Sequence, residues 1–229
     1  MPIKQLGHAL AEMYYLSLYT ACSVAGAFRR LAHHRTGHRR PVVLVPGFLG
    51  RGLSYFKLQR ALIERGHSVY VVDLGFGVGD VATKSRELEA FLEHHELEDC
   101  YLVGHSMGGM ISLGMSAQAR QRVRHFITLG TAYHGAILSH VVPFFPAARQ
   151  LKPRSKTIVA LAEGAQSCAN LTNIVAAWDE IAFPVRVCSI PTCRQLIGAP
   201  GHVQLIMSKP ALEMVCGVLD ELDAGEQNV

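Results

Sequence analysis

The sequence is poor in charge: Asp, Glu, Lys and Arg make up only 17% of its 229 residues, whereas 49% are hydrophobic. A disordered chain has the opposite balance, so the composition predicts a globular protein, with or without a membrane-attached part. Internal repeats and low-complexity tracts are also absent, which excludes a solenoid. The length fits one domain with a sizeable core.

Cysteine pairs at metal or redox spacing are missing as well. The six cysteines include no C-x-x-C pair, and Cys100 and Cys216 lie in apolar runs that are typical of buried thiols. His33, His34 and His38 share a connector that offers no cysteine or carboxylate partner. The sequence therefore predicts neither a metal nor an organic cofactor.

The net charge of +4 is concentrated in one stretch, "FRRLAHHRTGHRRP", at residues 28–41. No aromatic stacking pattern or recognition module accompanies it, so sequence-specific binding of nucleic acid is excluded. A solvated linker and a patch that binds phospholipid headgroups both stay open as explanations.

The segment before this basic connector, "HALAEMYYLSLYTACSVAGAF", is apolar except for Glu12 and a few small polar residues. At about 100° per residue, six polar positions in and beside this segment share an arc of about 120° and leave a wide apolar face: Gln5, His8, Glu12, Thr20, Ser23 and Arg30. This pattern favours a helix that lies on a membrane or docks on its own domain. An uncleaved anchor ranks second and a signal peptide third.

We therefore expect residues 1–40 to lie outside the catalytic core and to bring it to a membrane surface. A membrane-associated location is the first expectation, with cytoplasmic and exported locations left open. The sequence does not indicate an oligomeric state.

From residue 41 onward, short apolar runs alternate with longer amphipathic ones, which predicts a mostly parallel sheet with helices on both faces. Ligands of such sheets bind at the carboxyl ends of the strands. The strand-like runs are "PVVLVPG", "HSVYVVDL", "CYLVG" and "VRHFITLG". Between them lie the helix-like runs "LSYFKLQRALIERG", "DVATKSRELEAFLEHH" and "GGMISLGMSAQAR".

One glycine-rich stretch, "VVDLGFGVGD", resembles a dinucleotide fingerprint but fails its spacing. The third glycine of that motif would stand at position 80, which is Asp80. A loop that ends with Asp80 capping the next helix is the better prediction.

A serine nucleophile is predicted at Ser106, within Gly104-His105-Ser106-Met107-Gly108. This G-x-S-x-G motif follows a buried strand and opens a helix, which is the context that a nucleophile elbow requires. Glycines on either side leave room for the sharp turn that holds the serine clear of the sheet.

A serine hydroxyl needs an acid and then a histidine later in the chain. After Asp179 the only histidine is His202, so His202 is the predicted base. Asp179 follows the strand-like run "LTNIVAAW", whereas Glu163 lies in a helix-like run. Asp179 is the predicted acid, with Glu180 as the alternative.

The oxyanion hole is predicted to use the backbone N–H of Met107 and an N–H from the loop "VPGFLG", where Gly47 permits close approach and Phe48 supplies the donor. Substrate contacts are expected from Gly47, Leu49 and His105. Two further contacts, Phe144 and Phe145, are expected from the segment described next.

An apolar cap is predicted within the insertion at about residues 135–170, which is too long for a plain crossover and contains "ILSHVVPFFP". Such a cap suits acyl chains, which gain about 0.8 kcal/mol for each methylene buried. The alternative is a helix pair that only packs on the core.

Five segments, in order, resemble those of bacterial lipases and esterases of the α/β-hydrolase superfamily: "VVLVPGFLG", "LVGHSMGG", "ITLGTAYHGA", "WDEIAFP" and "GAPGHVQLI". The resemblance covers roughly residues 41–223. It implies an α/β-hydrolase fold with a small lid-like insertion, and it assigns the same catalytic and oxyanion roles as the residue pattern. The chain departs from many members at Pro46-Gly47, where they have His-Gly, and at Thr131-Ala132, where they have Thr-Pro.

The sequence thus predicts a catalytic domain over residues 41–229 that hydrolyses esters of hydrophobic acyl chains through Ser106, His202 and Asp179. Thioesterase and acyl-transfer activity use the same acyl-enzyme and stay open. A noncatalytic, membrane-recruited binding module of the same fold is the other alternative.

Overall fold

A six-stranded parallel sheet forms the centre of the computed structural model, which describes residues 3–136 and 144–226. Its strand order is β2-β1-β3-β4-β5-β6, and every neighbouring pair is parallel. The strands are β1 (Arg39–Val45), β2 (His67–Val71), β3 (Cys100–His105), β4 (Val123–Leu129), β5 (Leu171–Val175) and β6 (Arg194–Ile197). The mostly parallel sheet expected from the sequence is confirmed.

Helices cover both faces of this sheet because successive side chains of the central strands point to opposite sides. Val43 and Val45 of β1 join one core cluster, whereas Val42 and Leu44 join the other, and all four are fully buried. The helices are α1 (Ile3–Ala25), α2 (Phe56–Glu64), α3 (Val81–His94), α4 (Met107–Leu113), α5 (Ala117–Arg120), α6 (Pro146–Gln150), α7 (Lys156–Gln166), α8 (Gln204–Met207) and α9 (Lys209–Glu226). Side chains of α3, α4 and α7 fill the first cluster, and those of α1, α2, α8 and α9 fill the second.

Two local details refine the helix expectations. Asp80 caps α3, since its carboxylate accepts the backbone N–H of Thr83 at 2.8 Å, as predicted. The helix expected over residues 108–120 is instead broken into α4 and α5. The break follows Gly114, and Ser116 caps the second piece through the N–H of Ala119.

The insertion between β4 and β5 contains α6 and α7. Ile158, Leu161 and Ala165 of α7 are buried in the core cluster, so this helix packs on the sheet. The predicted cap "ILSHVVPFFP" falls largely on residues 137–143, which lie outside the described residues. A lid over the site therefore stays a prediction.

Helix α1 docks on the domain through a face that carries both polar and apolar side chains, since Tyr15 and Leu18 also pack against the second core cluster. Glu12, Tyr19 and Ser23 are buried, and the Ser23 hydroxyl lies 2.8 Å from the Ser54 hydroxyl. The Glu12 carboxylate accepts the backbone N–H groups of residues 203 and 204 at 2.7 and 3.3 Å. The expectation that residues 1–40 lie outside the core is therefore wrong for this helix, because its buried carboxylate needs the domain's N–H donors.

The apolar side of α1 faces outward. Its large exposed side chains are Leu10, Met13, Tyr14, Leu16 and Val24, followed by Phe28 just beyond the helix. Within the described part of the chain, no helix has the length and apolar character needed to cross a membrane.

The basic connector is not simply a solvated linker. His34 pairs with Val69 of β2 through two backbone hydrogen bonds of 2.8 and 2.7 Å, and His33 accepts the N–H of Val71 at 3.2 Å. Strand β1 begins at Arg39, which places the end of the connector inside the sheet. The chain therefore runs along the domain surface between α1 and β1.

The docking of α1 predicts a stability effect. Glu12→Ala leaves the buried N–H groups of Val203 and Gln204 without their acceptor, and orphaned buried donors cost about 1–3 kcal/mol each. We expect the free energy of unfolding, measured in urea, to fall by about 2–4 kcal/mol. Glu12→Gln keeps one acceptor oxygen and should lose less. Ser17→Ala, an exposed change on the same helix, should have little effect, and an equal loss in both alanine variants would contradict the docking role.

Candidate active site

Ser106 lies at the abrupt turn from β3 into α4. Its backbone has φ 55° and ψ −123°, a conformation that residues other than glycine rarely adopt. The turn is held by the N–H of Ser106, which donates to the carbonyl of Leu129 at 2.8 Å, and by the Thr131 hydroxyl, which donates to the carbonyl of Ser106 at 2.9 Å. The side chain therefore projects beyond the carboxyl edge of the sheet rather than into it.

The glycines of the motif are required by close approach. A Cβ at Gly104 would lie 2.6 Å from the backbone nitrogen of Gly109, and one at Gly108 would overlap the carbonyl oxygen of Val45. Larger residues at either position would separate β3 from α4 or α4 from β1. The strained serine turn thus depends on both.

Asp179 and His202 form a buried hydrogen-bonded pair at the same edge. His202 Nδ1 lies 2.8 Å from Asp179 Oδ2, and both side chains are almost fully buried. The other carboxylate oxygen accepts the N–H groups of Ile181 and Ala182 at 3.0 and 2.6 Å. An ionised Asp179 requires the His202 proton on Nδ1, which leaves Nε2 as an acceptor.

The charges of this pair support each other. Burial alone would lower the pKa of His202, but the charge and hydrogen bond of Asp179, together with Glu180 and Glu12, raise it above the usual value. For Asp179, burial opposes ionisation, but the His202 charge and the hydrogen bonds to the carboxylate hold its pKa below the usual value. His202 is therefore a stronger base than a free imidazole.

A second histidine, His105, is the last residue of β3 and contacts the His202 loop. Its ring centroid is 4.7 Å from that of His202, and its Nε2 lies 3.1 Å from the His202 carbonyl. Burial, with the His202 charge, lowers the pKa of His105 to about 3. His105 is thus neutral near pH 7 and donates from Nε2, which ties the His202 backbone to β3.

Two carboxylates flank the His202 backbone on its other side. Glu180 accepts the N–H of His202 at 3.4 Å, and Glu12 accepts the next two N–H groups along the chain. Burial, and then the hydrogen bond and charge of Glu12, raises the pKa of Glu180 to about 7. The loop that carries His202 is therefore held by α1, by β3 and by the loop after β5.

The loop after β1 approaches the elbow closely. A Cβ at Gly47 would lie 2.9 Å from the Cβ of Ser106 and 3.3 Å from the backbone nitrogen of Met107. The ring of the next residue, Phe48, packs edge-on against Phe145, with ring centroids 5.7 Å apart. Phe48 and Met107, the two predicted oxyanion donors, thus lie beside the serine.

Two cavities flank Ser106. The smaller, of about 60 Å³, is lined by Phe48, Ser106, Met107, Met110, Ala132, Ala136, Ala148, Leu151, Ile181 and Ala182. The larger, of about 360 Å³, is lined by Leu16, Tyr19, Thr20, Ser23, Val24, Phe48, Leu49, Phe76, His105, Ser106, Ile181, His202 and Val203. Both are mainly apolar, so the site suits a hydrophobic molecule whose reactive carbon lies at the serine.

Most of the predicted site residues meet here, but not all. Leu49 and His105 line the larger cavity. Phe145 reaches the site only through its contact with Phe48, and the Phe144 side chain, 83% exposed, lines neither cavity. Across residues 3–136 and 144–226, no group of three His, Cys, Asp or Glu side chains is arranged to hold a metal ion.

Sequence reasoning missed the contribution of α1. Five residues of this helix line the larger cavity, and Glu12 supports the His202 loop. The one available signal was Glu12 itself, a single carboxylate inside an apolar helix, since an isolated charge in such a setting needs buried donors.

Two sequence relatives are similar to part of this chain. A carbendazim-hydrolysing esterase of Nocardioides is 32% identical over 113 residues, which cover 44% of this chain and 46% of that protein. The acetyltransferase component of an acetoin-cleaving system of Pseudomonas putida is 31% identical over 132 residues, 52% of this chain and 35% of that protein. The matched region thus spans less than half of either relative.

Solved structures match over most of the chain. The mature form of a Bacillus licheniformis lipase superposes with a TM-score of 0.67 at 17% identity, covering 82% of this chain and 94% of that one. Lipase B of Aspergillus fumigatus gives a TM-score of 0.70 at 17% identity, and the match covers 82% of this chain and 54% of that one. A monoacylglycerol lipase of Paleococcus ferrophilus gives a TM-score of 0.63 at 16% identity, and the match covers 83% of this chain and 96% of that one. At such identities the likeness shows the fold alone.

The family assignment rests on sequence and fold together. Residues 40–166, more than half of the chain, match the family described as the alpha/beta hydrolase fold. The matched region contains most of β1, all of β2, β3 and β4, and the serine turn after β3. The chain therefore belongs to the alpha/beta hydrolase fold family.

Proposed function

We propose that this protein is a serine hydrolase that cleaves carboxylic esters with hydrophobic groups. The observation that carries the proposal is the buried Asp179–His202 pair, which lies at the same cavity as the strained Ser106. A histidine oriented by a carboxylate and placed beside a serine that borders a cavity is the arrangement that activates the serine as a nucleophile.

In the first half of the reaction, Ser106 Oγ attacks the ester carbonyl carbon while His202 Nε2 takes the hydroxyl proton. The carbonyl oxygen becomes an oxyanion, which the N–H groups of Phe48 and Met107 would stabilise. Collapse of this intermediate breaks the bond to the alcohol oxygen, which takes the proton from Nε2. The alcohol leaves and the acyl group stays on Ser106.

In the second half, water attacks the acyl carbon and gives its proton to His202 Nε2. Collapse breaks the bond to Ser106 Oγ, which recovers a proton from Nε2, and the carboxylic acid leaves. Throughout, Asp179 holds the imidazole in the required tautomer and stabilises its positive form. No metal or organic cofactor takes part in these steps.

The hydrophobic substrate class is supported by the apolar lining of both cavities beside Ser106. Burying each methylene of a bound ester stabilises the complex by about 0.8 kcal/mol. One sequence relative is an esterase and three structurally similar proteins are lipases, which agrees with this class. Gly47, Leu49, His105 and Phe145 are the proposed substrate-side contacts, with Phe144 as a contact of the proposed cap.

The test of this proposal is covalent trapping. An organophosphonate ester with an aromatic leaving group should form one adduct, and peptide mass spectrometry should locate it on Ser106. An adduct on another serine, with Ser106 unmodified, would overturn the assignment.

We expect Ser106→Ala and His202→Ala each to lower the turnover of a chromogenic short-chain ester by about 10⁴- to 10⁶-fold, because each removes a group that acts in the transition state. Circular dichroism should show an unchanged fold. More than a tenth of the wild-type activity in either variant would contradict the triad.

The acid can be tested separately. Asp179→Asn should lower kcat by about 10⁴-fold, because the amide no longer selects the His202 tautomer with the proton on Nδ1. Glu180→Gln is the matched control, since its amide oxygen can still accept the N–H of His202, and it should retain most of the activity. The opposite ranking in steady-state assays would move the acid to Glu180.

We further propose that the exposed side of α1 attaches the enzyme to lipid surfaces. Leu10, Met13 and Tyr14 are 58%, 64% and 62% exposed, and Phe28 is 86% exposed. The arginines at positions 29 and 30 follow directly. Apolar side chains beside cations are the composition that binds an anionic membrane interface, where each cation contributes about 1 kcal/mol.

This attachment predicts that the triple variant Leu10→Ser, Met13→Ser, Phe28→Ser loses co-sedimentation with vesicles of phosphatidylcholine and phosphatidylserine. Hydrolysis of a soluble ester should be preserved, because none of the three side chains lines either cavity. Ile197→Ser, an exposed apolar residue on β6, is the control and should bind vesicles normally. Undiminished vesicle binding by the triple variant would contradict the proposal.

A further inference from the structure

Helix α1 is fixed against the catalytic base. Its Glu12 carboxylate accepts the backbone N–H groups of the two residues that follow His202, and it lies beside Glu180, which accepts the N–H of His202 itself. Ser23, eleven residues further along α1, is buried against Ser54. Two buried polar contacts at separate turns therefore set both the position and the rotation of the helix.

That rotation turns one stripe of α1 toward Ser106. Leu16, Thr20 and Val24 are spaced by four residues, and all three line the larger cavity, together with Tyr19 and Ser23. Phe48, Leu49 and Phe76, from the loops after β1 and β2, also line this cavity. Helix α1 is thus one wall of a cavity of about 360 Å³ that opens on the serine.

The two cavities differ in their relation to the base. Ser106 and Phe48 line both, whereas His202 lines the larger one and is not among the residues that line the smaller. The alcohol oxygen must take its proton from His202 Nε2 as its bond to the acyl carbon breaks, so it must lie on the His202 side. The acyl group would then take the smaller cavity, which Met107 lines and His202 does not.

We propose that the α1-lined cavity receives the alcohol part of the ester, and that Leu16, Thr20 and Val24 select esters of bulky apolar alcohols. The inference rests on the proposed ester hydrolysis and extends it to the leaving group. The volume accommodates an aromatic or long-chain alcohol, and most of the side chains around it are apolar.

The test uses two butyrate esters that differ only in the alcohol: ethyl butyrate and 2-naphthylmethyl butyrate. Thr20→Trp places a large side chain at the cavity wall. It should lower kcat/KM for the naphthylmethyl ester at least about tenfold, equivalent to about 1.4 kcal/mol in the transition state. Ethyl butyrate, whose alcohol is small, should lose less, so the ratio of kcat/KM for the naphthylmethyl ester to that for ethyl butyrate should fall. An unchanged ratio would overturn the inference.

Ser17→Trp is the matched control. Ser17 and Thr20 are both exposed hydroxyl residues of α1, and each donates to the carbonyl four residues earlier, at 2.8 and 2.9 Å. Only Thr20 lines the cavity. Ser17→Trp should leave both esters unaffected, and Val24→Trp provides a second cavity variant should Thr20→Trp fold poorly.

An acyl series at constant alcohol completes the design. Ethyl esters from acetate to octanoate should give the same chain-length profile in Thr20→Trp and in the wild type. A selective loss of the longer acyl esters would show that the cavity holds the acyl part, and equal loss with Ser17→Trp would show a general effect of the helix; either result overturns the inference. Failure of the proposed function is distinct, because the wild type itself would then cleave neither ester and take up no phosphonate.

Discussion

The site depends on one constraint: β3 passes into α4 with no connecting loop, so Ser106 must adopt a backbone conformation that side chains disfavour. Such a conformation costs on the order of 1–3 kcal/mol and persists only where the surroundings fix it. Hydrogen bonds to Leu129 and from Thr131 fix it here. Because the turn lies at the carboxyl edge of a parallel sheet, the loops after β1, β5 and β6 converge on the same serine.

Helix α1 also supports this edge of the sheet, because its Glu12 binds the loop that carries His202. An amphipathic helix usually buries apolar side chains only, but α1 buries Glu12 and Ser23 beside Tyr19 and exposes Leu10 and Met13. The buried carboxylate is explained by its contacts, because the backbone N–H donors beside His202 need an acceptor. Neutral His105, on β3, also holds this loop, because its Nε2–H donates to the His202 carbonyl. His202 is thus positioned by partners on three different elements.

Most of the fold could be predicted from sequence because the signals are local. Alternating apolar runs indicate a parallel sheet, and Asp80 indicates a helix start. The sequence also predicted that Ser106, Asp179 and His202 would lie together, because their required order along the chain left few candidates. The docking of α1 could not be predicted, because helical periodicity identifies the two sides of a helix but not which side meets the domain. That choice depends on the Glu12 contacts with residues 203 and 204, far away in sequence.

The contact between Glu12 and Val203 joins residues separated by 191 positions. Closing so long a segment costs chain entropy that local contacts do not, so we expect this contact to form after the sheet. During synthesis from the amino terminus, α1 emerges long before the loop that it supports. We therefore expect the wall of the larger cavity and the support of His202 to be completed together, late in folding. A nascent chain that already carries the serine turn still lacks a positioned His202, which under the proposed function delays hydrolysis until the fold has closed.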